Sequence, residues 1–93
     1  MSAAIERLVA AVADRQAHPR PDSYTCKLLA GGPQLVARKV GEEALETVIA
    51  ALGEDDRRLA EEAADLIYHL LVLLASRGLG WEDVEQELER RAK

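Results

Sequence analysis

Glu42, Glu43 and Glu46 stand within five positions of one another in "KVGEEALE", and Glu61, Glu62 and Asp65 follow in "EEAAD". Carboxylates in this density suit few chemistries; binding a hard divalent cation through oxygen ligands is the main one, and Mg²⁺ bound that way commonly brings in phosphates. On a helix, residues three or four apart share a face. Glu43 with Glu46, and Glu62 with Asp65, would each project two carboxylates from one surface, with Cβ atoms ~5–6 Å apart. A solvated acidic face is the structural alternative, and periodicity alone does not exclude it. Against it, glutamates crowded on one face repel at ~0.2–0.5 kcal/mol per pair. Asp65 is also a poor helix former for a mid-helix position.

The elements that position these acids follow from apolar spacing and from stop residues. Ser2 caps a first helix with Ile5, Leu8, Val9 and Val12 on one face, ending before "HPRP". That stiff connector leads to "DSYTCKLLAGG", one or two short turns capped by Ser23 and stopped by Gly31 and Gly32. Pro33 opens a long third helix to about Leu52, stopped by Gly53, and Glu54, Asp55 and Asp56 lead into a fourth that runs to about Arg77. A fifth, Trp81 to about Arg91, turns Val84 and Leu88 inward, and Trp81 packs it against the body. Nothing alternates at period two, so the expected fold is all-α, one domain over residues 1–93, built on a long antiparallel helix hairpin. With Glu54 at the hairpin's midpoint, Glu46 faces Glu62, Glu43 faces Asp65 and Lys39 faces His69. Leu35 with Leu73, and Ile49 with Leu59, form apolar layers on either side.

Lys39, one turn before Glu43, is a candidate phosphate contact, with pairing to Glu42 or Glu43 as its structural alternative. His69, one turn after Asp65, is a candidate for phosphate binding or proton transfer, with a hydrogen bond to a carboxylate as its alternative.

The formal net charge of −5, with no basic stripe, excludes a general grip on nucleic acid polymers. Cys26 is the single cysteine, which rules out an intramolecular disulfide and fits a reducing compartment. The longest apolar run, Leu70 to Ala75, is too short to span a bilayer, and a cytoplasmic location is expected.

Glu-Glu-x-x-Glu at Glu42, Glu43 and Glu46, followed by Glu-x-x-Asp at Glu62 and Asp65, resembles the signature of the MazG-type all-α nucleoside triphosphate pyrophosphatases. Within that superfamily, "DSYTCKLLAGG", "RKVGEEALETVIAA", "EEAADLIYHLLVLL" and "RGLGWEDVEQELERR" resemble the single-function phosphoribosyl-ATP pyrophosphatase family over nearly the whole chain. The resemblance implies Mg²⁺-dependent hydrolysis of 1-(5-phosphoribosyl)-ATP to the AMP form and pyrophosphate, the second step of histidine biosynthesis; the sequence leaves open whether Mn²⁺ substitutes. It also implies a homodimer that completes a four-helix core at each site. Glu43, Glu46, Glu62 and Asp65 become metal ligands, and Glu42 a ligand of a second metal or the base that orients water. Lys27 and the hydroxyls of Ser23, Tyr24 and Thr25 become candidates for the phosphoribosyl end, with capping as their alternative. Gly31 departs from the pattern, since relatives often carry Lys there. A housecleaning pyrophosphatase acting on other (deoxy)nucleoside triphosphates shares the acid motif, and a non-catalytic helical dimerisation module shares the helices.

Overall fold

The computed structural model describes residues 2–92. These form four helices, α1 (Ala3–Ala17), α2 (Tyr24–Gly53), α3 (Asp56–Ser76) and α4 (Trp81–Arg91), with no strand among the described residues. The all-α expectation holds. Short polar side chains set three of the starts by accepting an otherwise unpaired amide. Ser2 Oγ accepts from Ile5 N–H at 3.2 Å, Ser23 Oγ from Cys26 N–H at 3.2 Å, and Asp55 from Arg58 N–H at 2.9 Å. At α4 the Asp83 carboxylate accepts from the N–H of Gly80 at 2.8 Å.

The short second helix and long third helix expected on either side of the glycine pair are both present, joined across a kink as the 30-residue α2. Gly32, at φ 78° and ψ 178°, leaves helical geometry, and Pro33 then begins the second half, where its missing N–H is harmless. The end of α3 is a left-handed glycine cap. Gly78, at φ 75°, lets its own N–H reach Ala75 C=O at 3.0 Å while Leu79 N–H reaches Leu74 C=O at 2.8 Å.

α2 and α3 form the main packing pair, and α1 lies against both. The core is a buried cluster of Val12, Leu28, Val36 and Val72, ringed by Leu29, Leu35, Tyr68, Leu73 and Ala75. Leu28 and Val36 come from opposite sides of the kink, so the bend wraps α2 around the core. Gln16 Nε2 donates to Ala75 C=O at 3.0 Å and ties the end of α1 to α3. Cys26 is half-buried, its sulfur accepting from Arg20 N–H at 3.3 Å.

Two packing expectations fail. Leu88, expected inward, is 60% exposed, because α4 packs little against the other helices. Ile49, expected to close an apolar layer with Leu59, is 51% exposed, and Leu45, Val48 and Leu52 beside it are exposed too. The core gathers at the other end of the hairpin, so this stretch of α2 has only the start of α3 beneath it.

Candidate metal and phosphate site

The hairpin brings Glu43 from α2 together with Glu62 and Asp65 from α3, one carboxylate oxygen from each lying within 4.8 Å of the other two. Glu62 is buried at 6% exposure, Glu43 is half-buried and Asp65 is open to solvent. The three oxygens therefore sit at the edge of the interior, where charges are poorly screened. Burial, and next the charge of Glu46, push the Glu43 carboxyl above its ordinary range, with Asp65 adding to the shift. Glu62 is raised in the same order by burial and Glu46, while Arg58 opposes. Glu46 is itself exposed and stands outside the three-oxygen cluster, but its field reaches both Glu43 and Glu62. Glu43 and Asp65, expected at one height of the hairpin, do meet, and Glu62 joins them.

Glu42 turns away from this group. It is exposed and paired along its own helix with Lys39 at 3.5 Å and Arg38 at 3.9 Å. The repulsion expected among three crowded glutamates thus falls on Glu43 and Glu46, while Glu42 has flanking cations. Lys39 adopts the pairing anticipated as its structural alternative. On α3, Glu61 is likewise matched, to Arg57 at 3.5 Å and to Arg58. Arg58 also reaches Glu62 at 3.4 Å, the direct cationic contact made by a member of the cluster among the described residues.

His69 is buried at 5% exposure and uses both ring nitrogens. Nδ1 lies 2.8 Å from the Asp65 carbonyl, which can only accept, so Nδ1 carries a hydrogen. Nε2 lies 2.9 Å from the Tyr24 hydroxyl, and the tautomer protonated at Nδ1 accepts from it. His69 therefore points toward the first turn of α2 rather than toward Lys39. Next to this contact the Thr25 hydroxyl bonds that of Tyr68, and Tyr24 and Tyr68 stack with centroids 6.2 Å apart. Burial pushes the Tyr68 phenol up. Ser23 serves as the helix cap, so each of the three candidate hydroxyls has an internal partner, and Lys27 projects into solvent.

Tyr68 is a site-flanking residue that sequence reasoning missed. The available signal was its place three residues after Asp65 in a chain with only three aromatic residues. Gly31 is matched to its surroundings: a Cβ there would stand 2.2 Å from Leu35 Cδ2, so a side chain such as the relatives' Lys requires Leu35 to move.

A family model described as phosphoribosyl-ATP pyrophosphohydrolase matches residues 5–92. The chain is 56% identical over 89 residues to a phosphoribosyl-ATP pyrophosphatase from Pyrobaculum calidifontis, covering 96% of this chain and 95% of that one. It is 52% identical over 87 residues to the protein of that name from Cereibacter sphaeroides, covering 94% and 84%. A third, from Metallosphaera sedula, is 48% identical over 93 residues, covering the whole of both chains.

Proposed function

The chain belongs to the phosphoribosyl-ATP pyrophosphohydrolase family, and from that membership we infer that it hydrolyses 1-(5-phosphoribosyl)-ATP to 1-(5-phosphoribosyl)-AMP and pyrophosphate, the second step of histidine biosynthesis. The match over residues 5–92 carries this inference.

The donor set fits a hard divalent cation: all oxygen, partly buried, and held against mutual repulsion that a cation would relieve. Glu43, Glu62 and Asp65 would hold Mg²⁺, or Mn²⁺ in its place, with Glu46 supplying further negative charge. Bound there, the ion would neutralise triphosphate charge and acidify water. The chain's own residues do the rest. Lys27 and Lys39 receive phosphate oxygens as point charges. Glu42 is the base that orients the attacking water and takes its proton. To act it must release Lys39 and Arg38 and turn toward the cluster, which exposed pairs worth only ~0.2–0.5 kcal/mol each permit, and release frees Lys39 for phosphate. Water oxygen bonds the α-phosphorus, the α–β anhydride bond breaks, and pyrophosphate leaves.

The working unit in this reading is a homodimer in the cytoplasm. The exposed apolar stretch of α2 supports association. Among the described residues no helix is long and apolar enough to cross a membrane. The test is pyrophosphate release from phosphoribosyl-ATP against ordinary nucleoside triphosphates, with and without Mg²⁺. Hydrolysis should require the metal and favour phosphoribosyl-ATP. Equal or faster turnover of ordinary triphosphates would return the protein to the housecleaning class.

A further inference from the structure

Two hydrogen bonds join consecutive residues of α2 to consecutive residues of α3 in reverse order, Tyr24 to His69 and Thr25 to Tyr68. A crossed pair of this kind fixes rotation as well as distance. It matters here because Gly32 interrupts the helix, so the backbone does not transmit the orientation of the acid-bearing half of α2 to the half that starts at Tyr24. The first half is oriented by side chains: Leu28 in the core, and these two hydroxyls. His69 is anchored in turn through Nδ1 to the backbone of Asp65, a member of the acid cluster. Both its ring nitrogens are engaged and the ring is buried, an arrangement suited to holding a neighbour rather than to exchanging protons with a ligand.

We propose that His69 is a positioning residue: from its anchor on Asp65 it pins the Tyr24 hydroxyl, and with the Thr25–Tyr68 bond it docks the first turn of α2, which carries Lys27, onto α3. The proposal rests on the function inferred above, with Lys27 as a phosphate contact. Removing the latch leaves the carboxylates in place but frees the segment that carries Lys27. Substrate affinity falls, and the chemical step is largely spared.

The experiment compares Tyr24→Phe, His69→Asn, His69→Gln and the double variant Tyr24→Phe with His69→Asn in the Mg²⁺-supplied enzyme. The single changes Tyr24→Phe and His69→Asn should each raise KM for phosphoribosyl-ATP about tenfold, equivalent to about 1.4 kcal/mol, with kcat within about twofold. The double variant should be no worse than either single one, as expected for two ends of one contact. His69→Gln can place its amide oxygen near the position of Nε2, where it accepts from the Tyr24 hydroxyl as Nε2 does, and should recover much of the lost affinity. Amide hydrogen exchange over Thr25 to Leu29, measured without substrate, should quicken in Tyr24→Phe and His69→Asn but not in His69→Gln. Additive KM effects, or a KM defect in Tyr24→Phe alone, would mean that Tyr24 touches substrate directly and the latch is wrong. A collapse of kcat in both His69 variants would restore an acid–base role and overturn the proposal, as would melting-point losses with unchanged KM. A wild-type chain that fails to hydrolyse phosphoribosyl-ATP would sink the inferred function instead, and the exchange measurement would still decide whether the latch exists.

Discussion

Glu43 is the most exacting residue of the cluster, because it is half-buried, raised by burial and by its acidic neighbours Glu46, Asp65 and Glu62, and has no cation paired to it among the described residues. A carboxylate whose folded pKa lies above its unfolded value stabilises the fold only below the unfolded value, and that contribution is lost as pH rises through the folded one. Glu43→Gln removes the penalty. Without metal, this variant should melt above wild type at pH 8, and the gap should close as pH falls below the ordinary glutamate range; a variant melting lower at pH 8 contradicts the sign. With Mg²⁺ the order reverses, since only wild type should gain stability from the ion. Turnover of Glu43→Gln should fall by at least about 100-fold, given that even partners outside the ligand shell are worth about 10–100-fold in metal sites. The grouping of Glu43, Glu62 and Asp65 was legible because helical spacing and a short hairpin decide it. The outward turn of Glu42 was not, because it depends on a rotamer choice between Lys39 and Arg38 on one side and the acids on the other. The bonds from Tyr24 and Thr25 were hidden for another reason: their partners lie 45 and 43 residues away, and no local periodicity encodes them.

Helix starts were the most readable elements, since Ser2, Ser23 and Asp55 cap where their side-chain chemistry predicts. The glycine pair announced the break at Gly32 and the restart at Pro33, both of which the backbone shows. What local signals did not announce is that Leu28 and Val36 reach one core from either side of the break. At φ 78° and ψ 178°, Gly32 occupies a region closed to residues with a Cβ, although there is open space around its Cα. Backbone strain alone therefore sets the penalty. Gly32→Ala should lower unfolding stability by about 1–3 kcal/mol in urea titration. A variant as stable as wild type would show that α2 can straighten at no loss, and that the bend is not what seats Leu28 and Val36 together.

The molecule as a whole leaves one face unaccounted for. Leu45, Val48, Ile49 and Leu52 are all exposed along one stretch of α2, at the end of the hairpin remote from the Val12, Leu28, Val36 and Val72 cluster. Scattered apolar side chains on a surface need no explanation, but four within eight positions of a single helix form a contiguous patch. Sequence could indicate that α2 has more apolar surface than one hairpin covers; it could not say which residues the hairpin would leave bare, because that depends on where α1 docks. A second copy of the chain is the occupant that the family resemblance implies, and a chain of this length gains needed burial by pairing. Glu43 and Glu46 belong to the same stretch of α2, so a dimer formed there would also enclose the acid cluster and strengthen its hold on a cation. Equilibrium sedimentation should therefore give twice the chain mass for wild type. Ile49→Glu, which buries a charge with no partner at a penalty of about 3–5 kcal/mol, should weaken association by more than about 100-fold and lower Mg²⁺-dependent activity in parallel. If Ile49→Glu stays dimeric, the interface lies elsewhere on the molecule; if it becomes monomeric with full activity, one chain completes the site without its partner.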